Sequence, residues 1–391
     1  MLPPIRLPAG VRDFLPAAAA RRRSLAERVL AVFEAWGYAR IITPAFECAD
    51  VLERGLGANA RATAIRFVEP GSGDVVALRP DITPQIARVV ATRLADVEPP
   101  IRLCYEGSVT RLAGEHGQRE ILQAGIELVG VGEPAGDAEV LAVAAAALAA
   151  AQLGDARLDI GHVAPARFVL DEAGDRADAV ARALAKKDRA GLRVASKNSA
   201  LADALVTLWG PAEPTLARAK ALPWPADVQA VLAQLERVLA AFAELVDPPA
   251  PALSIDLGDV RGFDYYTGVR FAGYATGAPD AVLRGGRYDA LLGRYGRSER
   301  ATGFAIDLEL VAQAHAEPVP TARAVAISGP GAAALARELR ARGIRTVVGA
   351  VTASWLRSAS FDAALALDRG EITFPDGRVV AGDGAALLAM L

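Results

Sequence analysis

Four side chains that could bind a small charged molecule lie close together in the stretch DVRGFDYYTGVRF, residues 259–271. They are Arg261, Asp264, Tyr265 and Tyr266. A cation can bind a carboxylate, an acid can bind an ammonium group, and phenols can hydrogen-bond either partner. The stretch therefore predicts a pocket for a small zwitterion. By itself it does not distinguish a working active site from a binding pocket that has lost its chemistry.

Further polar residues occur on the strands that the hydrophobic pattern predicts. Asp81 and Thr83 lie in LRPDITPQ, and Arg111 begins a polar loop. Gln123 and Glu127 are four residues apart on a strand, so both side chains lie on one face. Two more, in RGGRYDAL, complete the set: Arg287 and Tyr288.

Taken singly, each of these residues also fits a surface or sheet-edge position. Together they suit an amino acid: Asp81 can bind its ammonium group and Arg261 its carboxylate, while Glu127 and the tyrosines can hydrogen-bond a polar side chain. Charged hydrogen bonds contribute roughly 1.5–3 kcal/mol each. A few of them can hold a micromolar ligand.

The elements that must position these residues form an α/β core with an insertion. Strand and helix patterns alternate up to about residue 165, helical patterns dominate from about 165 to 250, and strands return after the segment DPPAPA. A second proline-containing segment, AEPVPTA (316–322), precedes a small α/β module. We therefore predict a core over 1–318, with the insertion inside it, and a separate module over 322–391.

Composition excludes several classes of protein. The net charge of −3 gives no basic field for nucleic acid or an anionic membrane. No run reaches the ~18 apolar residues of a spanning helix, and two cysteines are too few for a disulfide framework. The three histidines are scattered, so no metal site is predicted. The G-x-G-x-x-A spacing in ISGPGAAALA is interpreted as a tight turn, because no acid follows where a dinucleotide site needs one.

The motifs, read in order, resemble the catalytic domain of histidyl-tRNA synthetases. The matching segments are ALRPDITPQIAR, YEGSVTR, REILQAGIELVG, VRGFDYYTG, RGGRYDALLGRYG and ATGFAIDLE. The opening LPAGVRDFLP and the strand YARIITPAFE are also similar to that family, and the likeness covers about residues 1–165 and 250–315. It implies an α+β fold of the class II aminoacyl-tRNA synthetase type: an antiparallel sheet of six or seven strands flanked by helices, dimerising near Pro44.

The resemblance also implies a histidine pocket. Carried over residue by residue, it would be lined by Asp81, Thr83, Arg111, Gln123, Glu127, Arg261, Tyr265 and Tyr266.

Three departures from the synthetase pattern are informative. Where that family has arginine, any residue and glutamate, this chain has Arg111, Leu112 and Ala113. Where its third motif has a glycine and an arginine, this chain has Asp307 and Leu310. Leucine cannot neutralise phosphate, and losing one arginine from phosphoryl-type chemistry reduces the rate by roughly 10³–10⁵. ATP activation is therefore expected to be lost, and no catalytic residue is predicted.

The third departure is the C-terminal module, which is shorter than the anticodon-binding domain of a synthetase. Residues 322–391 contain eight arginines, no lysine and six acids. Without a basic footprint, tRNA binding is not expected.

All three departures fit a second family that this chain resembles, the regulatory subunits of ATP phosphoribosyltransferase. The resemblance implies a cytoplasmic, non-catalytic protein without cofactors, which serves the first step of histidine biosynthesis and its feedback inhibition. Its partners would be a short-form catalytic subunit, L-histidine and a second copy of the chain, in a hetero-octamer-type complex. The alternatives are a histidyl-tRNA synthetase or divergent histidine-activating enzyme, and a free-standing histidine-binding or translation-control protein. Whether histidine binds the synthetase-like pocket or a subunit interface is left open.

Overall fold

The computed structural model describes residues 6–56, 58–112, 117–196, 199–260, 265–314 and 323–390, without the side chains of 58–60. Arg261 and Asp264, the alanine of the altered second motif, and two of the three histidines lie outside these ranges. The chain divides into two compact units, residues 1–317 and 318–391. Within the described ranges, no helix is long and apolar enough to cross a membrane.

A nine-stranded sheet forms the centre of the first unit. With strands numbered in chain order, its spatial order is β1 (Ala39–Arg40), β5 (Ile101–Thr110), β6 (Glu120–Val129), β12 (Ala301–Asp307), β11 (Leu283–Arg287), β10 (Val269–Tyr274), β7 (Arg157–His162), β9 (Ala252–Asp256) and β8 (Trp209–Pro211). The sheet is larger than the six or seven strands expected, and it is mixed. Two pairings, β1 with β5 and β7 with β9, are parallel, because long connections return the chain to the same end of the sheet before each second strand.

One face of this sheet is covered by helices α1 (Pro16–Ala35), α5 (Ala135–Ala150) and α12 (Leu308–Ala314). Pro16 begins α1, where its missing N–H is not needed, and Gly37, with φ of 83°, follows the helix end. Helix α5 is rich in alanine and almost wholly buried, which lets its backbone pack close to the strands. The main hydrophobic core lies between these helices and the sheet.

The insertion consists mainly of helices, as the sequence predicts. They are α6 (Val163–Ala173), α7 (Ala177–Ala185), α8 (Arg189–Ala195), α9 (Ala200–Leu205), α10 (Ala212–Lys220) and α11 (Ala226–Leu245), with a 3-10 turn at Gly174–Arg176. Its one described strand, β8, adds to the edge of the large sheet. The insertion therefore extends the core of the first unit.

The opposite face of the sheet carries a second, smaller core and the candidate site. It is covered by α4 (Thr83–Thr92) and a 3-10 turn (Leu292–Tyr295), beside α2 (Ala49–Gly55), α3 (Ala58–Thr63) and a small sheet of β2 (Phe46–Cys48), β4 (Val75–Leu78) and β3 (Arg66–Val68). The segment predicted as one strand, YARIITPAFE, is divided between two sheets. Arg79 explains the break, because its guanidinium binds the carbonyl oxygens of Thr43 at 2.9 Å and Pro44 at 3.3 Å.

The second unit is a small α/β module. Its sheet has the order β14 (Arg345–Val348), β13 (Ala324–Ser328), β15 (Ala363–Ala366), β16 (Glu371–Thr373) and β17 (Val379–Ala381), with helices α13 (Ala332–Ala341), α14 (Ala353–Ala359) and α15 (Gly384–Met390). Gly329 and Gly331 both have positive φ in the turn between β13 and α13. A Cβ on Gly329 would approach the backbone nitrogen of Asp368 at 2.9 Å, so the glycine spacing serves a tight turn against the next loop.

Candidate functional site

A cavity of about 250 Å³ lies over the middle of the large sheet. Seven of the eight residues carried over for the histidine pocket line it: Asp81, Thr83, Arg111, Gln123, Glu127, Tyr265 and Tyr266. The eighth, Arg261, lies outside the described residues. The volume is below the roughly 300–1,000 Å³ of pockets for drug-sized ligands. The cavity therefore suits a molecule the size of an amino acid.

The floor of the cavity depends on the pairing of β6 with β12. Gln123 pairs with Asp307, and Glu127 pairs with Gly303, so side chains of alternate residues on both strands face the cavity. A Cβ on Gly303 would collide with the Oε2 atom of Glu127. The glycine leaves the space that this carboxyl group occupies.

Glu127 is the most enclosed acid of the cavity, at 2% exposure. Thr83 Oγ1 donates a hydrogen bond to its Oε1 at 2.6 Å, and the Tyr288 hydroxyl donates to its Oε2. Burial holds the pKa of Glu127 well above its usual range, while the Thr83 hydrogen bond acts in the opposite direction. Hydroxyl groups thus orient both carboxyl oxygens.

Three tyrosines form the wall beside this carboxyl group. The ring of Tyr265 lies edge-on to Tyr266 at 5.3 Å and tilted against Tyr288 at 5.2 Å. The hydroxyl groups of Tyr265 and Tyr105 are buried without a hydrogen bond of good geometry to any described residue, although Thr83 is close to both. Burial raises the pKa of both phenols. Tyr265 lines the cavity, with its hydroxyl group enclosed near Thr83.

The polar rim combines both signs of charge. Asp81 Oδ1 accepts a hydrogen bond from the Thr83 backbone N–H at 3.1 Å, and Arg111 Nε donates to the Pro80 carbonyl oxygen at 3.1 Å. These contacts fix an acid and a cation at the mouth. A second cation in the lining, Arg284, is paired with Asp280 at 2.6 Å.

The two residues of RGGRYDAL that the sequence singles out, Arg287 and Tyr288, lie on opposite sides of the sheet. Tyr288 lines the cavity, although it was not among the eight residues carried over. Arg287 lies on the other face, where it is 1% exposed and pairs with Asp137 at 2.9 Å and Asp289 at 3.0 Å. Adjacent residues of a strand face opposite sides, and this alternation is the signal that could have separated the two.

The altered third motif forms one side of the cavity. Asp307 Oδ1 accepts hydrogen bonds from the backbone N–H groups of Glu309 at 2.9 Å and Leu310 at 3.0 Å, at the start of α12. Burial raises the pKa of Asp307. Leu310 is 7% exposed and belongs to the main core. The wall that carries an arginine in the synthetase pattern is apolar here.

The described histidine, His162, has a structural role. Its Nδ1 atom accepts a hydrogen bond from the Ala164 backbone N–H at 3.1 Å, which caps α6. Burial lowers its pKa to about 4. Within the described parts of the chain, no cluster of three or more His, Cys, Asp or Glu side chains could hold a metal ion.

The sequence is similar to two groups of proteins with one fold. Residues 10–311 match the family model of histidyl-tRNA synthetase. A relative from Anaeromyxobacter sp. (strain Fw109-5), called ATP phosphoribosyltransferase regulatory subunit, is 45% identical over an alignment of 322 residues; the match covers 79% of this chain and 93% of the relative. A protein of the same description from Moorella thermoacetica is 39% identical over an alignment of 382 residues; the match covers 93% of this chain and 97% of the relative.

Solved structures confirm the predicted class II synthetase-like fold. A Bacillus halodurans protein described as an ATP phosphoribosyltransferase regulatory subunit/histidyl-tRNA synthetase has a TM-score of 0.81 and 29% identity, covering 94% of this chain and 99% of its own. The histidyl-tRNA synthetase of Nostoc sp. PCC 7120 has a TM-score of 0.82 over the whole of both chains. At 20% identity, this second likeness concerns the fold alone.

Proposed function

We propose, since this chain belongs to the family of ATP phosphoribosyltransferase regulatory subunits, that it is the regulatory subunit of such a transferase and catalyses no reaction itself. In this role it activates a short-form catalytic subunit for the first step of histidine biosynthesis. It also allows histidine to inhibit that step, by binding the ligand differently in two states of the complex.

The observation that carries the proposal is the apolar wall at Leu310. A synthetase needs a cation there to hold ATP, whereas this chain places a buried leucine next to the carboxylate of Asp307. A carboxylate near the phosphates would repel them. The rest of the cavity keeps the groups that suit an amino acid, so ligand binding without activation is what this site supports.

L-Histidine is the ligand that we assign to the cavity. Its ammonium group would lie at Asp81, and its imidazole ring would lie between the carboxyl group of Glu127 and the hydroxyl of Tyr265. Arg261 is assigned its carboxylate by position in the sequence. An imidazole ring has two nitrogen atoms that can form hydrogen bonds, and both a carboxyl group, that of Glu127, and a phenol, Tyr265, belong to the cavity lining.

The assembly that we propose is a homodimer within a hetero-octamer-type complex in the cytoplasm, without tRNA, ATP or a cofactor bound to this subunit. Exposed apolar side chains support the dimer. Ile42, two residues before Pro44, is 82% exposed. Phe46 and Phe67, whose rings lie 6.0 Å apart on the small sheet, are 47% and 40% exposed. Neighbouring apolar groups at such exposure are typical of an interaction surface.

Co-expression with the short-form transferase of the same organism tests the function. We expect a complex whose transferase activity requires this chain and is inhibited by histidine. If no complex forms and the transferase alone is fully active and histidine-sensitive, the proposal is wrong.

A second assay addresses the histidine-activating enzyme. We expect no histidine-dependent exchange between ATP and pyrophosphate at micromolar protein. Robust exchange would identify an active or divergent synthetase and overturn the regulatory role.

A further inference from the structure

The segment of residues 6–15 runs along the surface before α1 without helix or strand, and most of its residues are exposed. One attachment holds its middle: the Arg119 backbone N–H donates to the Gly10 carbonyl oxygen at 2.8 Å. Gly10 has φ of 79°, and a Cβ there would approach the Gly117 carbonyl oxygen at 2.7 Å. Glycine is therefore required for this close approach.

A charged cluster provides the second attachment. Arg12 Nη2 donates a hydrogen bond to Glu309 Oε2 at 2.8 Å. Arg22 Nε, from α1, lies 2.9 Å from Oε1 of the same side chain, an ion pair by distance but without hydrogen-bond geometry. The two guanidinium groups also lie over the ring of Phe14, at 4.7 Å and 4.3 Å. The side chain of Glu309 is only 4% exposed, whereas that of Arg12 is 49% exposed.

This arrangement allows the segment to detach from the rest of the unit at a small cost in free energy. A buried carboxylate that loses its only partner is strongly destabilised, but Glu309 would keep Arg22 when Arg12 departs. The segment also buries little apolar surface, which is typical of parts that open locally. Attached and detached states can therefore differ by a modest free energy.

Both attachments lead to walls of the candidate cavity. Gln118, next to Arg119, lines that cavity and also a smaller one against the segment at Gly10 and Arg12. Glu309 lies between Asp307 and Leu310, which line the cavity from the other side. The segment thus connects two cavity walls that come from distant parts of the chain.

We propose that residues 6–15 form a latch, whose attachment through Gly10 and Arg12 holds these two walls in the ligand-binding arrangement. Preorganised walls raise affinity, because less ordering is left for the binding step. By thermodynamic reciprocity, the ligand must favour the attached latch by the same factor by which the latch favours the ligand. Ligand binding in the cavity therefore increases the fraction of molecules in which this exposed segment is attached. The proposal rests on the proposed function only for the identity of the ligand, L-histidine.

Hydrogen–deuterium exchange of the full-length protein tests the latch. The Arg119 amide is its reporter, because that N–H is bonded to Gly10 only while the latch is attached. We expect Arg12→Ala to raise deuterium uptake of the peptide that contains Arg119. Gly10→Ala should do the same by blocking the close approach without removing a charge.

The matched control is Arg23→Ala, which removes a neighbouring arginine whose ion pair with Glu27 is exposed. It should leave that uptake unchanged. Calorimetry with L-histidine should show affinity weakened about three- to tenfold by Arg12→Ala, the range for a charged contact that is half exposed. Histidine should also slow uptake at Arg119 in the parent protein.

Two failures can be told apart. If Arg12→Ala and Gly10→Ala show the same deuterium uptake at Arg119 as Arg23→Ala, the latch does not exist. This conclusion holds whether or not the chain forms a complex with the transferase. If the uptake rises but histidine affinity is unchanged, the latch is not coupled to the cavity and the inference is overturned. If the parent protein itself binds no histidine, the assigned ligand of the proposed function is wrong, while the unliganded exchange still decides whether the latch attaches.

Discussion

Asp307 accepts a hydrogen bond from the backbone N–H of Leu310 at 3.0 Å, so the two departures of the third motif form one local structure. The acid caps the first turn of α12, and that turn places the leucine in the cavity wall. Because the bond uses only the backbone N–H of Leu310, a cation placed at this position would still lie beside the carboxyl group of Asp307.

Leu310 should contribute substantially to stability because it packs in the main core. We expect Leu310→Ala to lower the free energy of unfolding by about 2–4 kcal/mol. The control Leu112→Ala, at a site 51% exposed, should change it by less than about 0.5 kcal/mol. Urea unfolding followed by circular dichroism measures both, and equal effects would contradict the packing role of Leu310.

The Tyr288 hydroxyl should matter for ligand binding through Glu127. Tyr288→Phe removes a donor to the buried carboxyl group and should weaken histidine binding by about 1–2 kcal/mol, or roughly 5- to 30-fold. Tyr295→Phe is the matched control, because that hydroxyl donates to the Val51 carbonyl oxygen at 2.9 Å and does not line the cavity. Calorimetry at one pH measures the histidine affinity of both variants. The same affinity for both variants would argue that histidine binds elsewhere, such as a subunit interface.

Gly303 should not tolerate a side chain. The Cβ of Gly303→Ala would collide with the carboxyl group of Glu127 and with the backbone carbonyl oxygen of Ile126, and overpacking of this kind costs about 1–3 kcal/mol. We expect histidine affinity to fall at least about tenfold if the carboxyl group moves. Gly154→Ala, where no atom lies within 4 Å of the new Cβ, should bind as the parent does. A Gly303→Ala protein with unchanged affinity would exclude Glu127 from ligand contact.

Stability should depend on pH through His162. Its pKa is about 4 in the folded chain and about 6.5 when unfolded. The unfolded chain therefore binds more protons between these values, and stability is lost as the pH falls from 6.5 to 4, by up to about 3 kcal/mol. Arg167 and Arg287 add to the burial that causes this shift.

The variant His162→Asn isolates this contribution, because it keeps a hydrogen-bond acceptor at the helix start but does not titrate. Buried Asp137, with its pKa raised to about 6, acts in the opposite direction in both proteins. We therefore expect the unfolding free energy of the parent to fall more steeply than that of the variant between pH 7 and pH 4. Parallel curves would show that His162 does not control acid stability.

Dimerisation should depend on the exposed apolar group near Pro44. Ile42→Asp should convert the dimer to a monomer in light scattering after gel filtration, because a carboxylate at an apolar interface cannot be solvated. Val194→Asp changes another aliphatic residue that is also 82% exposed and should leave the dimer intact. If the Ile42→Asp variant remains a dimer, the interface lies on another surface.

Much of the fold can be predicted from the sequence because the patterns that indicate it are local. The strand and helix around Asp81, the hairpin of β5 and β6 and the helical insertion follow from hydrophobic periodicity and turn residues, which act over a few positions. The sequence pattern does not mark the additional strands β1 and β8 as separate elements. Each is two or three residues long and is defined by pairing with a distant strand, so no periodic pattern marks it.

The sequence by itself determined which chemical groups the chain carries: an acid, a threonine, a glutamate and two tyrosines in motif order, and a leucine where a synthetase needs a cation. Tertiary structure decided how they meet. Glu127 and Tyr288 are 161 residues apart, and Arg12 and Glu309 are 297 apart. Such pairs depend on strand order and on which face each side chain takes. These are set by long-range packing and by a register in which a shift of one residue reverses every side chain.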